Sequence, residues 1–217
     1  EFWSFACFSA RTALSTITTP DSSMAERAPY KGLILVQSWV RQPVSLPMKS
    51  PVPWLNDQVY TSMPFSERAL HVAATKVGVQ ESPRGSNSGP WVDKFLKSVD
   101  LGPGYPWCAA FAEWCYEEAG CPERTLPDSG LVADWKRYGK ARGWLMKSPS
   151  RGRLFIIDNG DGTGHIGFIT GVLPDGSFST IEGNTNPGGS REGYGVFRRG
   201  REHTRKTFYL DMSRLGE

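Results

Sequence analysis

Apolar residues recur at helical spacing through the middle of the chain and give way to alternating, strand-like runs in its last third. Ala69, Leu70, Ala73, Ala74 and Val77 share one face of a predicted helix that Ser66 can cap and Gly78 can end. Pro90 opens a second helix, with Trp91, Val92, Phe95, Leu96 and Val99 on one side and Gly102 past its end. Trp107, Phe111, Trp114 and Cys115 mark a third, entered through Pro106 and closed near Gly120. A short helix over Leu131–Tyr138 follows the turn Pro127-Asp128-Ser129-Gly130. The strand-like runs are Leu154–Ile157, Ile166–Val172, Phe178–Glu182, Gly195–Arg198 and Thr207–Leu210. Helices first and an antiparallel sheet afterwards predict an α+β fold.

Upstream of this regular part the pattern breaks down. Residues 1–64 read as an extension ending in a proline-rich linker, marked by Pro43, Pro47, Pro51 and Pro53, and residues 65–212 as the folded domain. Phe2 to Ala10 is apolar but has no basic residues before it, so it is not read as a signal peptide, and Met24 is an alternative start. Around Leu33-Ile34-Leu35-Val36, Lys31 to Val40 is expected to form one short strand or helix.

The chemistry concentrates at Cys108, in the run Gly104-Tyr105-Pro106-Trp107-Cys108-Ala109-Ala110-Phe111. A thiol in the first turn of a helix meets the positive end of the macrodipole, which favours the thiolate. A nucleophilic thiolate needs a base, and the chain has three histidines. His71 precedes the cysteine inside a helix, and His203 sits in the basic stretch Arg198–Lys206. His165 opens the glycine-flanked strand Gly164-His165-Ile166-Gly167. The turn Leu173-Pro174-Asp175-Gly176-Ser177 folds the next strand back on it and brings His165 beside Glu182, Asn184 or Thr185. A carboxylate or amide there would orient the imidazole, completing a nucleophile–base–orienter set.

Taken together, Pro106-Trp107-Cys108-Ala109-Ala110-Phe111, Gly164-His165-Ile166-Gly167 and Ile181-Glu182-Gly183-Asn184-Thr185 resemble the CHAP family of cysteine- and histidine-dependent amidohydrolases and peptidases. Gly85-Ser86-Asn87-Ser88-Gly89-Pro90-Trp91-Val92 resembles the approach to the nucleophile in its peptidoglycan-hydrolase branch. The similarity runs from about Phe65 to Leu210. It implies a papain-like catalytic domain over residues 65–212, with Cys108 as nucleophile, His165 as base, Glu182 as third residue and Asn184 as the polar residue two positions on. The implied substrate is bacterial peptidoglycan, cut at amide bonds in autolysins and phage lysins, without a metal or other cofactor. A smaller part of the family acts on glutathionylspermidine. The chain departs from the family pattern at Arg153, where an aspartate is expected before the first sheet strand, so the turn's usual carboxylate contacts are lost.

Composition narrows the remaining choices. A net charge of +3 is too small to argue for nucleic acid, and no run is apolar enough for a membrane span. Arg191, Arg198, Arg199, Arg201, Arg205 and Lys206 could face an anionic cell-wall polymer or could form a solvated sheet edge. The four cysteines, Cys7, Cys108, Cys115 and Cys121, lack zinc spacing. Cys108 and Cys115 stand two helical turns apart, about 10 Å, too far for a disulfide, whereas a Cys115–Cys121 bridge stays open beside a core role for Cys115. Tyr105 and Trp107 are the best aromatic candidates for a substrate groove, Asn87 can join it if its loop folds back, and Trp91 reads as core. A monomer acting at the cell wall is expected. A wall-binding module without turnover and an amidase of small polyamine conjugates are the alternatives.

Overall fold

The computed structural model describes residues 48–122, 124–188 and 193–215. Cys7, Met24, Arg191, the Phe2–Ala10 run, the Lys31–Val40 segment and the prolines at 43 and 47 lie outside these residues. Five helices come first: α1 (Asp57–Ser62), α2 (Phe65–Thr75), α3 (Val92–Lys97), α4 (Cys108–Glu118) and α5 (Val132–Arg142). Six strands follow: β1 (Leu145–Met146), β2 (Leu154–Asp158), β3 (Gly164–Val172), β4 (Phe178–Thr185), β5 (Gly195–Arg201) and β6 (Thr207–Leu210). They form one antiparallel sheet in the order β1-β6-β2-β3-β4-β5. The α+β architecture is therefore present.

The sheet's two faces follow its period of two. Leu154, Ile156, Ile166, Phe168, Ile181 and Leu210 turn toward the helices, and Phe155, Ile169, Phe178 and Tyr209 form a smaller cluster on the other face. Helix α4 is the hub, touching α2, α3, β3 and β4, and its residues from Cys108 through Tyr116 are all buried. Phe111 packs edge-on against Phe95, Trp107 and Phe168. Strand β4 passes this helix so closely that a Cβ on Gly183 would sit 2.7 Å from the Phe111 ring. That contact explains the glycine between Glu182 and Asn184. At the other end of α4, Gly120 adopts φ +80°, and the Gly120 and Cys121 N–H groups donate to the carbonyls of Glu117 and Tyr116, a Schellman closure.

Several local expectations need correction. Ser66 does not cap α2; it is buried one residue inside it, and Pro64 stands at the cap. The stretch read as a linker holds α1, capped by Asn56 Oδ1 on the Gln58 and Val59 N–H groups, with Val52 and Tyr60 buried. Of the two readings open for Cys115 the core role holds: Cys115 is a buried core residue, and it and Cys121 are free thiols. Arg153 does not leave its turn without a carboxylate, because its guanidinium pairs with Asp211 at 3.1 Å and donates to the Ser148 carbonyl. The charge pattern is reversed there, with the acid supplied from the far end of the chain.

Candidate active site

Cys108 begins α4 and is 6% exposed, at the floor of an open cleft of about 450 Å³. Trp107 precedes it in a non-helical conformation, and its backbone N–H donates to Asn184 Oδ1 at 3.2 Å. His165 reaches the same cleft from the first turn of β3. Its Nε2 lies 2.9 Å from Glu182 Oε2, and the Cys108 thiol lines the same cleft. An ionised carboxylate only accepts, so Nε2 carries a proton and Nδ1 is left for the thiol. The hairpin register Phe168↔Ile181 carries Glu182 onto the face and end of the sheet that hold His165.

Glu182 is fully buried, yet it is not alone. Arg201 on β5 donates from Nε to Oε1 at 2.8 Å and from Nη2 to Oε2 at 2.6 Å, a two-pronged ion pair. Thr180 Oγ1 donates to Oε1 at 2.6 Å. Burial would raise this carboxyl's pKa, but Arg201 and His165 outweigh it and hold Glu182 well below the usual carboxylate range. Burial likewise pulls the His165 imidazolium down, and the bonds to Cys108 and Glu182 reverse that and push its pKa up to about 9. Imidazole, carboxylate and guanidinium thus form one line of hydrogen bonds, and the Cys108 thiol shares their cleft. The arrangement can hold a protonated imidazole beside a thiol at neutral pH.

Residues 100–184 match the family model of the CHAP domain. CHAP domains are generally hydrolases, in a family of amidohydrolases and peptidases whose substrate is cell-wall peptidoglycan. The match takes in Cys108, His165, Glu182 and Asn184 and stops short of Arg199 and Arg201. No match was found among curated proteins or solved structures.

The other residues proposed from the sequence divide. Asn87 lines the cleft, its loop folded back by bonds from Gly78 and Glu81 to Val196 and Tyr194 on the β5 side. Asn184 lines it too, but without touching the imidazole among its hydrogen bonds. With φ +51° it turns its side chain to the Trp107 N–H, Asn87 Oδ1 and the Gly193 carbonyl, so it braces the entrance to α4. Trp107 is not a groove residue. Its ring is fully buried against Phe95 and Phe111, and its indole N–H donates to Glu81 at 2.9 Å. Tyr105 is 54% exposed and outside the cleft lining. His71 and His203 are also outside it, and His203 bonds the Tyr209 hydroxyl.

Arg201 and Thr180 were missed as site residues. Their signal is weak: Thr180 precedes Glu182 by one same-face step, and Arg201 is one arginine among several on β5. Of the basic cluster, Arg199 and Arg201 line the cleft, whereas Arg198, Arg205 and Lys206 are exposed outside it. Among the described residues no group of acids, histidines and cysteines could hold a metal ion, and no helix is long and apolar enough to cross a membrane.

Proposed function

We propose that this chain is a cysteine-dependent hydrolase that cuts amide bonds in bacterial peptidoglycan, as a muramoyl–alanine amidase or a peptide endopeptidase. Residues 65–212 form its papain-like catalytic domain, and it acts at the cell wall. The observation that carries the reading is that Cys108 and His165 line one open cleft, with the imidazole bonded to buried Glu182 and its pKa raised by these neighbours.

Each residue takes a role from its surroundings. His165 accepts the Cys108 proton, and Glu182 orients the imidazole and supports its positive charge. The Cys108 sulfur attacks the amide carbon, forming a C–S bond while the carbonyl electrons move to oxygen. The Cys108 backbone N–H, an unpaired donor of the helix's first turn, faces the charge that develops there. As the tetrahedral species collapses the C–N bond breaks, and the imidazolium gives its proton to the leaving amine. Water, deprotonated by His165, then hydrolyses the thioester and regenerates the thiol.

The deciding experiment compares wild type with Cys108→Ala on purified peptidoglycan, recording new amino groups, new reducing ends and fragment masses. Amino groups without reducing ends, lost in the folded variant, are expected, and the masses name the bond. Release by Cys108→Ala at the wild-type rate overturns the reading. Silence on peptidoglycan with cleavage of small polyamine amides moves the same chemistry to a different substrate.

A further inference from the structure

The charge of the cleft is one-sided. Among the described residues that line it, Arg199 and Arg201 are the arginines, and none is an aspartate or glutamate. Arg201 is neutralised by its pair with buried Glu182. Arg199 differs: its Nη1 donates to the Asn186 backbone carbonyl, and among the described residues it has no carboxylate partner. A guanidinium tethered to a backbone carbonyl has further N–H groups in its planar fork with which to bind a ligand. The backbone tether also lowers the entropy lost when that fork is used.

Two strand residues before Arg201 on β5, Arg199 stands on the same face, pairing with Thr180 as Arg201 pairs with Phe178. Its wall of the cleft is polar, with Thr185, Asn184 and Gly193. The opposite wall, formed by Gly130, Leu131 and Val132 at the start of α5, carries no charge. The two sides therefore ask for different chemistry.

We infer that Arg199 is a carboxylate-binding subsite, so that this cleft selects amides bearing a free carboxylate on the β5 side of the scissile bond. The inference deepens the proposed amide hydrolysis and rests on it for the position of the scissile bond. The substrate class is an acidic peptide amide. Arg199 acts in binding and orientation, and its residue lies beyond the matched family segment.

Two measurements test it on the full chain. The first is the ratio of alkylation rates at Cys108 by anionic iodoacetate and neutral iodoacetamide. Arg199→Gln is expected to lower that ratio about threefold to tenfold, Arg199→Lys to keep most of it, and Arg198→Gln, outside the cleft, to leave it as in wild type. An unchanged ratio in Arg199→Gln, or an equal fall in Arg198→Gln, overturns the subsite. The second is binding of N-acetylalanine and of its primary amide by calorimetry, which needs no reactive thiol. The acid is expected to bind about tenfold tighter than the amide, with the difference lost in Arg199→Gln, and equal affinity overturns the inference. A Cys108 inert to both reagents, with the acid still preferred, sinks the hydrolase reading and leaves the anion subsite standing.

Discussion

Of the three glutamates buried among the described residues, Glu182 and Glu113 meet opposite fates. Glu182 on β4 is 0% exposed and Glu113 on α4 is 2% exposed. Glu182 has Arg201, His165 and Thr180 around it and stays ionised far into acid. Glu113 has one bond to Oε1, from the Asp128 N–H at 3.2 Å, and its Oε2 has no partner. Desolvation, helped by the charges of Glu117 and Asp128, pushes its pKa up to about 8 against the opposing backbone N–H groups of Asp128 and Ser129. Burial is the same for both, so partners decide the charge. The sheet places His165 and Arg201, on the two strands flanking β4, around one carboxylate, whereas the helix offers Glu113 a loop and two further acids.

The largest expected effect comes from removing the charge of the first glutamate. Glu182→Gln is expected to cut peptidoglycan hydrolysis by about 10²–10⁴-fold, because the imidazole loses its orienting anion and Arg201 loses its pair. Activity within a factor of two of wild type would place Glu182 outside the reaction. Removing the other half of the pair tests stability as well. Arg201→Ala should cost about 3–5 kcal/mol in denaturant melts by leaving a buried carboxylate half-paired, and Arg201→Lys should recover part of that, since an ammonium cannot make both bonds. A melt unchanged in Arg201→Ala would show that the ion pair contributes nothing.

The pH dependence follows from the directions of the shifts. His165 is raised from 6.5 to about 9, so its contribution to stability is complete below about pH 6.5 and is lost as pH rises through about 9. Glu182 is depressed, so its contribution is present above 4.5 and is lost only in strong acid. An NMR titration of the imidazole should therefore show protonated His165 at pH 7.5 in wild type and a lower midpoint in Glu182→Gln. A wild-type midpoint near 6.5 would break the ion-pair description.

The smallest effect belongs to Glu113. Its raised pKa makes the folded protein lose stability as pH rises from 4.5 to about 8. Glu113→Gln should change stability at pH 5 by no more than about 1 kcal/mol and should flatten that decline. Parallel melting curves for wild type and variant at pH 5 and 8 would show that Glu113 is not the group responsible.

Local sequence accounts for most of the scaffold and less of the site. Thr207–Leu210 and the turn between Val172 and Phe178 are found where the strand and turn signals put them, because both depend on neighbouring residues. Helix α1 was hidden by the prolines before it, although Asn56 is a good cap. Trp107 shows the limit of reading proximity as function: next to the nucleophile in sequence, its ring points back into the core. Asn184 shows another limit, since its left-handed conformation at the irregularity between Glu182 and Thr185 turns its amide toward α4. Periodicity could not foresee that.

By itself, then, the sequence determined that a thiol starts a buried helix and that one hairpin brings His165 beside Glu182, Asn184 or Thr185. Both follow from short-range rules of helix entry and turn geometry. Only the tertiary structure decided which arginine neutralises Glu182, that Asp211 answers Arg153, and that Arg199 is left without a carboxylate partner among the described residues. Those outcomes depend on strand order and register, which bring distant residues within hydrogen-bond reach, and arginines that look alike along β5 differ only in what lies across from them.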